Sequence, residues 1–133
     1  MTSEEIRDKF ISLLKENFPE LKYKVSKLKS GNTRISPYLP NSKRCKRWMQ
    51  LDSNPEYFSI AMDHKVREIS LEDLHKTNIP YGLNGDRTGI IMKENYDAVN
   101  ISIFIHDLYD IHDKAFLDFL NRHYKSYINL INS

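Results

Sequence analysis

The chain of 133 residues has a formal net charge of +2, with 40% hydrophobic and 29% charged residues. This composition is typical of a soluble globular domain and excludes wholesale disorder, and the longest apolar run is far below the roughly 20 residues that a membrane-spanning helix requires. Cys45 is the only cysteine, which excludes an internal disulfide and a multi-thiolate zinc site and favours a reducing, cytoplasmic setting. No secretory signal is visible at the N-terminus. We expect one domain over residues 1–133 and no membrane partner.

Residues 2–17 have the pattern of an amphipathic helix. Thr2 followed by Glu5 is a capping-box signature, and apolar residues then recur at helical spacing. Pro19 closes this helix.

Short strands are predicted after the first helix. Alternation of apolar and polar residues indicates strands over residues 21–25, 33–39 and 45–52, and a fourth after the turn at 53–56. Phe58, Ile60 and Met62 of the fourth strand are expected to point inward. Pro37 has no N–H to donate to a ladder, so we expect its strand to lie at an edge of the sheet.

The second half of the chain is expected to contain a short helix, a hairpin and a long helix. Ser70 followed by Asp73 caps the short helix, which runs to about residue 76. A polar loop over residues 77–88 comes next, and loops of this length are often functional. Strands over 89–92 and 98–106 form the hairpin. The last helix follows a turn and carries on one side Phe116, Phe119, Leu120, Tyr127 and Ile131. The fold class predicted is α+β, a mostly antiparallel sheet of about five to six strands packed by an N-terminal and a long C-terminal helix.

Charge is separated along the chain in a way that the small net charge conceals. Residues 22–51 contain nine basic residues and no acidic one, whereas the other 11 of the 20 basic residues and all 18 acidic residues lie outside this segment. Aromatic residues are interspersed with the cations. Basic side chains bind phosphates, and aromatic rings between them stack on unpaired bases. The segment therefore predicts a non-catalytic module that binds nucleic acid, DNA or RNA, through Lys22, Lys24, Arg34, Tyr38, Lys43, Arg44, Lys46, Arg47 and Trp48.

The part of this segment in which the basic residues are most closely spaced does not fit the regular alternation of side chains in a strand. A regular strand would place Lys46, Trp48 and Gln50 on one face and the residues between them on the other. Either choice leaves a large apolar group among polar ones or an arginine beside the core. This conflict indicates that the strand contributes to binding as well as packing.

Two other interpretations of the basic segment stay open. The strands form a merely solvated sheet face, or acidic helices of the same chain neutralise them. An acidic protein partner, as in an adaptor or an oligomer that pairs basic strands with the acidic helices of another copy, is the alternative binding function. The sequence does not define the oligomeric state.

A cluster of histidine and aspartate follows the last predicted strand and suggests a second alternative, a small metal-dependent enzyme. Its candidate ligands are His106, Asp107, Asp110 and His112, because imidazole and carboxylate suit zinc, manganese or iron. Their spacing matches no metal motif. Asp110 and Asp113 have a simpler role in capping the final helix. We therefore predict no metal and no cofactor.

The remaining candidate side chains are supported by weaker sequence patterns. His123 is expected at the boundary of the apolar stripe on the last helix, and the adjacent Asp63 and His64 are expected to be structural. Basic neighbours would lower the pKa of an exposed Cys45 thiol. The 77–88 loop offers hydrogen-bonding side chains to a ligand, namely Tyr81, Asn84, Asp86 and Arg87.

Overall fold

A computed structural model describes residues 1–40, 46–80 and 88–133. Helices and strands follow one another in the predicted order within these ranges. They are α1 (Ser3–Asn17), β1 (Lys22–Lys27), β2 (Thr33–Tyr38), β3 (Met49–Ser53), β4 (Tyr57–His64), α2 (Leu71–His75), β5 (Gly89–Met92), β6 (Asp97–Phe104) and α3 (Lys114–Ile131), with a short 3₁₀ turn (Ile105–Asp107) after β6. No helix in the described ranges combines the length and apolarity needed to cross a membrane.

Side-chain caps begin each of the helices where the sequence predicts them. Thr2 Oγ1 accepts from the N–H of Glu5, and the Glu5 carboxylate accepts from the N–H of Thr2, both at 3.2 Å. The same reciprocal pair between Ser70 and Asp73 begins α2. Asp113 caps α3 by accepting from the N–H of Ala115 at 2.8 Å. These bonds satisfy N–H groups that have no partner within the helix.

The strands form one six-stranded sheet in the order β1-β2-β3-β4-β6-β5, and every neighbouring pair is antiparallel. Hairpin connections join the strands except where the segment containing α2 crosses from β4 to β5. The predicted α+β class is thereby confirmed. The final strand ends at Phe104 rather than at residue 106, because the chain turns into the 3₁₀ segment.

The prediction that the Pro37 strand lies at an edge is wrong, because β2 lies between β1 and β3. The ladder of backbone hydrogen bonds between β2 and β3 is interrupted at Pro37, so no N–H is needed at this position. The carbonyl of Pro37 accepts from the N–H of Trp48 at 2.8 Å, while the Trp48 carbonyl accepts from Asp63 N–H at 2.9 Å. A residue with a backbone N–H at position 37 would have donated to the Trp48 carbonyl. Because the N–H of Asp63 on β4 binds that carbonyl, proline leaves no acceptor without a partner.

Both long helices pack on the same face of the sheet. The Phe10 ring of α1 lies 5.6 Å from the ring of Phe58 on β4 and 6.1 Å from Phe116 of α3, measured between centroids. Phe58, Ile60 and Met62 are fully buried there, as predicted. The other face, which we call the open face, carries the alternate residues of the strands, among them Lys24, Arg34, Gln50, Ser59 and Asn100.

Candidate nucleic-acid interface

The open face collects cations from separate parts of the basic segment. In the antiparallel register Lys22 is paired with Tyr38, and Lys24 with Ser36. Arg34, two residues before Ser36, lies on the same face. Because alternate residues of neighbouring strands share a face, cations that are far apart in sequence come together here.

A cavity of about 540 Å³ opens on this face near the ends of β3 and β4. Its charged and aromatic lining consists of Lys24, Arg34, Lys46, Arg47, Asp63 and Tyr96, together with small polar groups. Among the residues that the structure describes, four cations therefore line the cavity together with a single carboxylate. Sites of this volume commonly hold one small ligand or one unit of a polymer.

A second, smaller hollow of about 230 Å³ adjoins the cavity. Lys24, Ser36, Tyr38 and Arg47 line it, so three of its four residues also line the larger cavity. Tyr38 thus lies where a ring could contact a base while the neighbouring cations contact phosphate. The two hollows form one surface, which we call the basic groove.

Arg34 is held in place by Asp52 across the β2–β3 pair. Its Nε and Nη2 donate to the two carboxylate oxygens at 2.9 Å each. This bidentate bond raises the pKa of Arg34 and fixes the guanidinium plane. The pair is neutral as a unit, so most of the uncompensated charge of the basic groove comes from Lys24, Lys46 and Arg47.

Asp63 lines the cavity and is 4% exposed. Its Oδ2 is 3.9 Å from Arg47 Nη2 and 4.0 Å from Lys46 Nζ. These distances exceed those of hydrogen bonds, and Oδ2 accepts none from the described residues. Burial raises the pKa of this carboxyl, and the positive charges of Arg47, Lys46 and Lys93 oppose the shift. Asp63 is therefore a buried acceptor with nearby cations but no donor.

Lys46 is positioned by both its backbone and its side chain. The hydroxyl of Tyr127, on α3, donates to the Lys46 carbonyl. The same hydroxyl accepts from the N–H of Leu39 at 3.2 Å. The Lys46 ammonium lies 3.9 Å from the centroid of the Tyr96 ring, a cation–π contact. The core helix thus fixes the backbone from which this cation reaches the groove.

Trp48 does not belong to the groove, which corrects the expectation that it stacks on bases. The backbone bends at Trp48, immediately before β3 begins at Met49. Both residues consequently point to the helix side, and both are fully buried. With Trp48 and Met49 both on the helix side, Arg47 and Gln50 both line the cavity on the open face, so the conflict with regular alternation disappears.

The indole of Trp48 begins a buried polar chain. Its N–H donates to Nδ1 of His123 at 2.8 Å, and Nε2 of His123 lies 3.0 Å from Nδ1 of His64. His64 Nε2 is 3.8 Å from an Asp97 carboxylate oxygen, and Asp97 also binds Arg67. Both histidines are fully buried, so the expectation that His123 lies at the boundary of the helix stripe is wrong. Burial lowers the pKa of each ring.

The histidine and aspartate residues after β6 do not converge on one point. His106 faces its neighbour Asp107 at 3.5 Å, and His112 faces Asp110 at 3.6 Å. Asp110 accepts from the backbone N–H of His112, which makes it part of the turn before α3. Within the described ranges no three histidine, cysteine, aspartate or glutamate side chains are grouped closely enough to hold a metal ion.

Some sequence candidates lie outside the described residues. Lys43, Arg44 and Cys45 fall in the gap at 41–45, and the loop side chains Tyr81, Asn84, Asp86 and Arg87 fall in the gap at 81–87. Of the predicted binding residues, the groove therefore contains Lys24, Arg34, Tyr38, Lys46 and Arg47, and Lys22 lies on the same face beside Tyr38 without lining either hollow.

Asp63 and Tyr96 are the charged and aromatic groove residues that sequence reasoning missed, and the polar and small residues of the lining were not predicted either. Because Phe58, Ile60 and Met62 point inward, alternation places Asp63 on the opposite face of the sheet. The sequence therefore contained a signal for the position of Asp63. Tyr96 precedes β6 and has no comparable signal. Comparison with protein-family models, with curated proteins and with solved structures finds no match for this chain.

Proposed function

We propose that this chain is a non-catalytic nucleic-acid-binding module whose basic groove contacts the phosphate backbone. The observation that carries the proposal is the gathering of Lys24, Arg34, Lys46 and Arg47 around one cavity with a single lining carboxylate. Lysine and arginine release counterions when they bind phosphates, which makes such a surface attractive to any nucleic acid. The single cysteine suits a reducing, cytoplasmic setting.

The chemistry of the groove favours a polyanion over a neutral ligand. Lys24 and Arg47 line both hollows, so positive charge extends along the face rather than forming a single point. Arg34 is oriented by Asp52 and keeps further donors for a phosphate oxygen. Tyr38 and Tyr96 supply rings next to these cations. A chain of phosphates with intervening bases matches this alternation of charge and ring.

An equilibrium binding experiment tests the proposal. Labelled single-stranded and double-stranded oligonucleotides would be titrated at two salt concentrations by fluorescence anisotropy. We expect a Kd of about micromolar at low salt that weakens steeply as salt rises. The variant Lys24→Glu/Lys46→Glu/Arg47→Glu should abolish binding.

The matched control changes the same charge on the helix side. Lys9, Lys76 and Lys125 are exposed there and do not line the groove. The variant Lys9→Glu/Lys76→Glu/Lys125→Glu should retain binding if the groove is the contact surface. Equal losses in both variants would mean that net charge alone drives the interaction. No binding by the unmodified protein at low salt would overturn the proposal and leave an acidic protein partner as the alternative.

A further inference from the structure

We infer that the cavity around Asp63 receives an unpaired guanine base, so that the groove binds guanine-containing single strands in preference to others. This inference rests on the proposed function and names the part of the ligand that the Asp63 site recognises. It begins from the unsatisfied oxygen of Asp63, which lines the cavity and is buried among cations without a hydrogen bond from the described residues.

The Oδ2 atom of Asp63 is itself almost completely buried, so a ligand donor would reach it by displacing the nearby cations. Arg47 Nη2 and Lys46 Nζ lie 3.9 Å and 4.0 Å from Oδ2, which is about 0.7–0.8 Å beyond the usual upper limit of an N–H···O hydrogen bond. The side chains of Lys46 and Arg47 are 30% and 44% exposed, whereas that of Asp63 is 6% exposed. Arg47 and Lys46 are thus the groups that would shift toward phosphate when a ligand donor approaches Oδ2, Lys46 by leaving its contact with the Tyr96 ring, while the carboxylate stays in place. A buried acceptor without a protein donor is rare in folded proteins and calls for an explanation, which a donor on a bound ligand would supply.

The chemistry of a carboxylate selects among the bases. An ionised carboxylate only accepts hydrogen bonds. The Watson–Crick edge of guanine presents two adjacent donors, N1–H and the 2-amino group, which one carboxylate can accept together. Adenine and cytosine present an acceptor beside their amino group, and thymine and uracil flank their single N–H with two carbonyls. Each of these bases would direct a lone pair at Asp63, so guanine is the base that matches.

The surrounding residues complete a nucleotide site. Arg47 can stack its guanidinium plane on a base, a contact common in single-strand recognition. Lys24 lies on β1 at the other side of the same cavity. There it can neutralise the phosphate of the bound nucleotide. The volume of about 540 Å³ is of the size that holds small ligands in proteins.

Single-base substitution in a uniform strand tests the inference. The probes are labelled oligothymidine of about ten nucleotides, within the usual site size, and three versions with one central guanine, adenine or cytosine. We expect the guanine strand to bind the intact protein about five- to tenfold more tightly than the others, as a paired base contact allows. Asp63→Asn should remove this preference and leave oligothymidine binding equal or tighter.

The matched control is Asp52→Asn, which removes one negative charge from the same face but does not line the cavity. It should change affinity for the four strands alike and keep the guanine preference. Equal affinity of the intact protein for the four strands would overturn the inference while leaving the proposed function in place. A guanine preference that survives in Asp63→Asn would also overturn it.

Titration with 5′-GMP and 5′-AMP, followed by amide NMR shifts at Asp63 and Lys46, separates this inference from the proposed function. Selective shifts with 5′-GMP support the guanine site even if no strand binds, in which case a free guanine nucleotide is the ligand and the proposed function fails. No shifts with 5′-GMP together with no strand binding would overturn both.

Discussion

The indole N–H of Trp48 donates to Nδ1 of His123 across 2.8 Å in the buried centre of the protein. Because Nδ1 accepts this bond, the proton of the neutral His123 ring is on Nε2, which faces Nδ1 of His64 at 3.0 Å. A second proton on His123 would have to displace the indole N–H. The packing of Trp48 thus holds a histidine in its neutral form.

This arrangement predicts that the protein loses stability in mild acid. The folded pKa of His123 and of His64 lies below the unfolded value of about 6.5 because burial disfavours the charged rings. Asp97 and Glu68 oppose the shift at His64 only in part. The unfolded state binds protons first as the pH falls, so stability is complete above about pH 6.5 and declines below it by up to about 1.4 kcal/mol per pH unit for each ring.

Urea unfolding followed by the fluorescence of the single tryptophan measures this decline. His123→Gln should be less stable at neutral pH but should show a shallower decline between about pH 6.5 and 5.5. His106→Gln is the control, because that side chain is 72% exposed and outside the buried chain. An unchanged slope in His123→Gln would mean that other groups cause the acid sensitivity.

Trp48→Phe should destabilise the protein without changing its affinity for nucleic acid. The smaller ring leaves a void among the rings of Phe18, Tyr124 and Tyr127 and removes the donor to His123. We expect a loss of about 2–3 kcal/mol, measured by circular dichroism in urea. Oligonucleotide affinity below the unfolding transition should match that of the unmodified protein. A weaker Kd in the folded variant would show that the indole contributes to the bound state after all.

Tyr127→Phe should affect both stability and binding, because one hydroxyl contacts the backbone of Lys46 and Leu39. Loss of these bonds in a partly buried site should cost about 1–2 kcal/mol of unfolding free energy. The Lys46 backbone would also be less fixed, so nucleic-acid binding should weaken although no charge is lost. Tyr124→Phe, which removes a hydroxyl bonded to the exposed Glu20, should leave binding unchanged. Equal affinities of the two variants would contradict the positioning role of Tyr127.

Asp63→Asn should unfold at the same or a higher urea concentration than the unmodified protein. Burial raises the folded pKa of Asp63, so the ionised carboxylate costs stability at neutral pH, and this cost is relieved as the pH falls through the raised pKa. The isosteric amide removes the buried charge, with an expected gain of up to about 1 kcal/mol. A large loss of stability would instead identify Asp63 as a structural partner of Lys46 and Arg47.

Local patterns predicted the architecture, whereas the buried polar contacts depended on distant parts of the chain. The capping pairs at Thr2 and Ser70 and the alternation in β4 involve neighbours, so their outcome follows from spacing alone. The bond from Trp48 to His123 joins residues 75 positions apart. No periodicity within either segment encodes such a contact.

The same difference between local patterns and contacts of distant residues explains how much of the candidate site could be predicted. The basic segment indicated the cations of the groove, because charge is visible in composition. The sequence did not reveal the bend at Trp48, because the prediction assumed a regular strand register for the residues around it. Asp63 comes from β4, outside the basic segment, and enters the cavity only because β4 pairs with β3. A site assembled from four strands is therefore only partly encoded in any one stretch.

The bend at Trp48 also separates two kinds of evolutionary constraint within three consecutive residues. Trp48 is enclosed by the core, and changes there affect folding. Lys46 and Arg47 extend from the other side of the same backbone, and their charged ends lie 4.0 Å and 3.9 Å from the Asp63 carboxylate at the cavity rather than among the apolar side chains of the core. Descendants of this sequence, or designed variants, can therefore exchange the groove cations for other side chains and acquire a different ligand while the scaffold folds as before.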